Sequence, residues 1–225
     1  MTFTHAIGRG ADTIIVLIVR ALMIARIHPN TLTFVGMLIN ILAAVILASG
    51  NFPLAGVVIL GAAIFDLVDG RVARSTGCVT RFGAFFDSVL DRYSDLFLLV
   101  GLLIYYASIN RFFYIVLTAV AMVATVLISY SRARAENVIP KCKIGFLERP
   151  ERIVLLIIGA LFGRMAPVLW IIAVLGNLTV IHRIFYTWQQ TSRLDSQPDP
   201  PPAALKSPAS ASTPPEVRRQ ESPVA

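Results

Sequence analysis

Six long apolar runs, parted by short polar or basic segments, limit what this chain can fold into. They lie at about 31–50, 54–74, 83–107, 110–136, 150–163 and 166–190. Runs of this length and number suit a bilayer rather than water. The overall make-up agrees, with 56% hydrophobic residues and a mean hydropathy of +0.72. In lipid, the backbone must satisfy its own polar groups, and a helix does so within one segment. The expected fold is therefore an all-α integral membrane protein with six transmembrane helices. Residues 11–27 are apolar but broken by Arg20 and Arg26, and they read as an interfacial amphipathic helix. His28-Pro29-Asn30 should end it, with Asn30 or Thr31 capping the next helix.

The organisation read from the chain is a cytoplasmic N-terminus and interfacial helix (1–30), a six-helix transmembrane domain (31–190) and a disordered Pro-rich tail (191–225). From residue 195 onward the chain holds eight of its 13 prolines. Loop charges set an orientation. Arg9, Arg20 and Arg26 precede the first run, and Arg71, Arg74 and Arg81 follow the second. Arg132, Arg134, Lys141, Lys143, Arg149 and Arg152 follow the fourth, and Arg183 and Arg193 close the sixth. The opposite loops offer only Arg111 and Arg164. By the positive-inside rule, both termini are expected to face the cytoplasm, and the expected location is the cytoplasmic membrane. The net charge of +7 then reflects topology and contact with anionic membrane lipids. No basic and aromatic groove pattern appears, so no nucleic acid partner is expected. The start of the chain lacks signal-peptide features. Cys78 and Cys142 fall on the cytoplasmic side and should be free thiols.

Residues 66–95 hold five of the 13 acidic residues inside this apolar sequence. Asp66 and Asp69 are three apart and Asp87 and Asp91 are four apart. On helices, each pair shares one face. A carboxylate near the bilayer centre costs about 2.5–3.5 kcal/mol on insertion scales. Four together call for compensating charge, and divalent cations such as Mg²⁺ or Mn²⁺ suit hard oxygen ligands. The flanking charges put these acids toward one membrane face, which the loop asymmetry makes the cytoplasmic one. Gly70 and Ala73 leave room for a close ligand or helix, and Arg74 can fork onto phosphate oxygens. Gly83 allows close helix contact one turn before Asp87. Asp91, deepest in its helix, is the best placed general base. A purely structural ion cluster is the bland alternative. Asp95, one turn further, reads as a supporting polar residue.

The full pattern is Asp66-x2-Asp69-Gly70-x2-Ala73-Arg74-x8-Gly83-x3-Asp87-x3-Asp91. It resembles, position by position, the signature of the CDP-alcohol phosphatidyltransferase family. The likeness in layout extends over about residues 15–190. The resemblance implies phosphatidyl transfer from CDP-diacylglycerol to a small alcohol, releasing CMP, by a homodimer. It implies two divalent ions on Asp66, Asp69, Asp87 and Asp91, with Asp91 also acting as base. It implies CDP-lipid contacts at Gly70, Ala73 and Arg74.

A second cluster spans Ser129-Tyr130-Ser131-Arg132-Ala133-Arg134-Ala135-Glu136 and Gly145-Phe146-Leu147-Glu148-Arg149-Pro150-Glu151-Arg152. Its plain reading is a positive-inside loop with Arg–Glu pairs and Pro150 opening a helix. Its functional reading is an anion pocket beside the acids. Both segments look like those of phosphatidylinositol-phosphate synthases. That resemblance implies a pocket for an acceptor's phosphate on Ser129, Arg132, Arg152 and Arg183, with inositol 3-phosphate favoured. Arg132 stands where that branch has a lysine, which keeps the charge and changes the geometry. Glycerol 3-phosphate is the alternative acceptor. A divalent-cation transporter is the alternative of another class, and it would call for paired interrupted spans in two related halves.

Overall fold

The structure, a computed structural model, describes residues 29–75, 80–140, 142 and 144–195, with the side chains of 29, 67–75, 194 and 195 left out. Six helices and no strand occur among the described residues. They are α1 (Pro29–Ala48), α2 (Phe52–Ser75), α3 (Arg81–Ser108), α4 (Phe112–Ala135), α5 (Arg149–Leu161) and α6 (Met165–Asp195). Each coincides with one apolar run to within a few residues. The expected interfacial helix at 11–27, Cys78 and residues 196–225 of the expected tail lie outside the described residues.

Three ends differ from the sequence reading or refine it. α1 begins at Pro29 itself, where a ring-locked φ suits a first helical residue, so Asn30 and Thr31 lie inside the helix and not at its cap position. α3 is capped by Thr80, whose hydroxyl accepts the Gly83 amide at 2.9 Å. α6 runs through Asp195, past the tail boundary placed after residue 190. No proline or glycine interrupts Thr191–Asp195, and Thr191 Oγ1 bonds back to the Thr187 carbonyl at 2.9 Å.

The helices close a ring. α1 packs on α2 and α3, α3 on α4, α4 on α6, α6 on α5, and α5 returns to α2. The ring is filled by Ala43, Leu47, Ile59, Leu98, Leu102, Ala121, Leu156, Leu169 and Ile172. Small residues let backbones meet, as membrane helices require when no water drives them together. At Gly101 of α3, an added Cβ would lie 2.3 Å from the Ala44 carbonyl oxygen of α1. Two polar side chains inside the ring bond to their own helices. Thr118 Oγ1 donates to the Tyr114 carbonyl at 2.7 Å and Asn40 Nδ2 to the Gly36 carbonyl at 3.1 Å.

The outside is apolar. Leu38, Leu42 and Val45 of α1, Val116, Val120 and Val123 of α4, and Ile171 and Val174 of α6 are exposed. So broad an apolar exterior fits lipid. α1, α4 and α6 are long and apolar enough to cross a membrane. α2 and α3 carry charge at the ends that hold the acids. α5, at 13 residues, is about 20 Å long at ~1.5 Å per residue, short of a ~30 Å hydrocarbon core.

Candidate active site

α3 carries Asp87, Asp91 and Asp95 at successive four-residue steps, so all three share one helix face. α2 contributes Asp66. In the ring, α1 and α5 are the neighbours of α2, and α3 is not a principal one. A side chain from α5 spans the gap. Arg149, the first residue of α5, places Nη2 2.8 Å from Asp66 Oδ2 and 2.9 Å from Asp91 Oδ1. Its Nε lies 3.5 Å from Asp95 Oδ1. Burial works against the charge of Arg149. The Asp91, Asp66 and Asp95 carboxylates around it offset that cost. Asp66 and Asp91 are each 25% exposed, and Asp87 is more open. The close contact expected at Gly83 is present, since an added Cβ would meet Asn30 Oδ1 of α1 at 3.2 Å.

Asp69, Gly70, Ala73 and Arg74 follow Asp66 along α2, and their side chains lie outside the described residues. No trio of His, Cys, Asp or Glu side chains suited to a metal ion converges among the described residues. The acids present fit divalent cations on another observation. Carboxylates from two helices already share one positive nitrogen, so the fold sets negative oxygens around a cationic centre. Asp87 stands one turn from Asp91 to complete such a set.

Beside this cluster lies a buried ion pair. Arg152 Nη2 meets Asp95 Oδ2 at 2.5 Å, and both residues are 3% exposed. Glu148 occupies the N-cap position of α5 without capping it. Its Oε1 instead accepts Arg132 Nη1 and Arg183 Nη2, each at 3.2 Å. Arg132 Nε also reaches Glu136 at 3.2 Å. Arg183, 1% exposed, donates from Nε to the Ile144 carbonyl at 2.7 Å and from Nη1 to the Ile128 carbonyl at 2.5 Å. With the Phe146 amide on Thr179 Oγ1 at 3.2 Å, these bonds fasten the segment 144–148 to α6. Arg183 therefore ties α4 and the 144–148 segment to α6 through all three of its guanidinium nitrogens, a part that spacing alone does not reveal.

All four residues expected in the acceptor pocket, Ser129, Arg132, Arg152 and Arg183, line one cavity of about 440 Å³. Arg92 and Arg149 also line it, making five arginines against two glutamates, Glu136 and Glu148. Such a concave, basic wall attracts anions. A smaller cavity of about 160 Å³ is lined by Asp91 and Asp95, and it shares Ser88, Arg92, Ser129, Arg149 and Arg152 with the larger one. The basic chamber thus adjoins the acid cluster through Asp91.

Sequence reasoning passed over Arg149, Arg92 and Gly36. The three-residue step from Arg149 to Arg152 was a visible signal, because it puts both guanidinium groups on one face of α5. The four-residue series through Asp95 was another. Gly36 left none. It lies on α1, far from the motif, and a Cβ there would come 2.8 Å from Asp66 Oδ1.

Comparison with known proteins agrees with this geometry. The sequence model of the CDP-alcohol phosphatidyltransferases matches residues 26–188. Archaetidylinositol phosphate synthase of Pyrococcus horikoshii is 36% identical over 160 residues, 71% of this chain and 82% of that protein. Phosphatidylinositol phosphate synthase of Mycobacteroides abscessus is 33% identical over 189 residues, 80% of this chain and 86% of its own. The crystal structure of Mycobacterium tuberculosis phosphatidylinositol phosphate synthase with CDP-DAG bound superposes with a TM-score of 0.72. It is 29% identical in sequence, covering 78% of this chain and 94% of that one. The same enzyme in complex with manganese and citrate gives a TM-score of 0.70 at 30% identity, over 76% of this chain and 87% of that one.

Proposed function

The chain belongs to the CDP-alcohol phosphatidyltransferase family and is an enzyme of that class. From that premise we propose that it transfers a phosphatidyl group from CDP-diacylglycerol to a phosphorylated polyol, inositol 3-phosphate first, releasing CMP. The observation that carries this reading is the five-arginine cavity opening beside Asp91. A phosphate on the acceptor would be gripped there by Ser129, Arg132 and Arg152, with Arg183 holding the wall beside them. The acceptor's free hydroxyl would then point toward the acids.

A hydroxyl oxygen attacks the phosphorus on the diacylglycerol side. The new O–P bond forms as the bond to the CMP oxygen breaks, and Asp91 accepts the hydroxyl proton. Asp66, Asp69, Asp87 and Asp91 would hold two Mg²⁺ or Mn²⁺ ions, which when bound supply positive charge against the pyrophosphate and the leaving group. Gly70, Ala73 and Arg74 would face the CDP part. The solved relative holds manganese in one structure and CDP-DAG in another, which supports a divalent cation and this donor. On the same reading, all six helices cross or enter the membrane, the site opens to the cytoplasm, and two copies form a homodimer. Residues 1–30 lead into the catalytic helices and the Pro-rich segment follows them.

The test is CMP release from CDP-diacylglycerol with each acceptor in turn. Turnover with inositol 3-phosphate that needs Mg²⁺ or Mn²⁺ is the expected result. Turnover with glycerol 3-phosphate and none with inositol 3-phosphate would reassign the acceptor.

A further inference from the structure

We propose that Arg149 is a built-in rival of the divalent cations, and that on giving up Asp66 and Asp91 it joins the anion-binding wall of the cavity. Cation binding and phosphate binding are then linked through one side chain. The inference rests on the metal reading above.

Four observations lead to it. Arg149 Nη2 contacts Asp66 Oδ2 and Asp91 Oδ1, oxygens from two of the four acids assigned to the cations. A guanidinium and a metal ion are both cations drawn to those atoms and repel one another there, so each weakens the other. Second, Arg149 is incompletely satisfied where it lies. Its Nε and the facing Asp95 Oδ1 are buried without a hydrogen-bond partner, since their 3.5 Å separation is an ion-pair distance and not a bonded geometry. Third, it sits at the N-terminus of α5, where the helix dipole disfavours a cation. Its carboxylate contacts are what hold it there. Fourth, Arg149 lines both cavities, so a swing of the side chain leads from the acids into the basic chamber. Four other arginines line that chamber, and a guanidinium released from its carboxylates settles among them only if an anion is present. Phosphate should therefore help the cations to displace Arg149, and by linkage the cations should help phosphate to bind.

The experiment uses full-length protein in detergent and titrates Mn²⁺ by electron paramagnetic resonance. Sulfate serves as the phosphate mimic, because it leaves Mn²⁺ in solution. In the unaltered protein, sulfate should tighten Mn²⁺ binding several-fold. Arg149→Gln should bind Mn²⁺ roughly tenfold more tightly without sulfate, and sulfate should then have little further effect. Arg149→Lys, a point charge that cannot bridge both acids as well, should fall between the two. Melting in chelator checks folding, and Arg149→Gln should melt lower than the parent and recover with Mn²⁺. If the unaltered protein binds Mn²⁺ and Arg149→Gln binds it equally or more weakly, the rivalry is overturned while the metal reading stands. If the unaltered protein binds no Mn²⁺, or Asp91→Asn binds it just as tightly, the metal reading fails and takes the rivalry with it.

Discussion

Replacing Asp95 with asparagine should be the most destabilising conservative change in the acid series, although Asp95 lies outside the family signature. The substitution keeps shape and removes charge. In the parent, Asp95 Oδ2 lies 2.5 Å from Arg152 Nη2, with both residues 3% exposed. Without that negative charge, the buried Arg152 is left with neutral acceptors alone, the amide oxygen of the new side chain and the Leu147 carbonyl at 3.4 Å. Removing one member of a buried pair costs about 3–5 kcal/mol, because the remaining charge is left without compensation. For a chain of this size, ~1 kcal/mol moves the melting temperature by about 2–4 °C. Asp95→Asn should therefore melt roughly 6–20 °C lower in detergent. The cost belongs to the orphaned cation and not to lost attraction. A paired Asp95→Leu, Arg152→Met variant should thus recover much of the stability while losing acceptor binding. An asparagine variant that melts with the parent would refute the argument. So would a double variant that melts lower than Asp95→Asn alone.

Asp91→Asn should abolish CMP release while the protein still melts cooperatively, and unchanged turnover would remove Asp91 from the reaction. Chelation with EDTA should stop CMP release and added Mn²⁺ or Mg²⁺ restore it; turnover that survives chelation would exclude cations from the step. Gly36→Ala should push the Asp66 carboxylate aside, because its Cβ would come within 2.8 Å of Oδ1. Mn²⁺ affinity should fall while the melting temperature moves little, since a side-chain end can yield where a backbone cannot. Gly101→Ala is the contrasting case. Its Cβ would meet the Ala44 carbonyl at 2.3 Å and force α1 from α3, lowering the melting temperature by roughly 5 °C or more in a thermal scan.

Much of this protein is local information. The apolar runs announced the helices, because backbone in lipid has few other ways to satisfy itself. The acids announced their own site, because charge set among apolar residues needs a reason and the spacing was visible. Ser129, Arg132, Arg152 and Arg183 were also legible, and they do line one cavity. What a linear chain could not express was the ring order that seats α5 beside α2. Helices in a bilayer all look alike in hydrophobicity, so the pattern does not say which packs on which. That order brings Arg149 to Asp66, 83 residues away, and Arg152 to Asp95, 57 away. It also gives Arg183 to the wall and places Gly36 against Asp66. The residue types alone determined that this chain holds a charged site among membrane helices. Only the tertiary structure decided that an arginine stands between its carboxylates, because that contact joins three helices no local pattern connects.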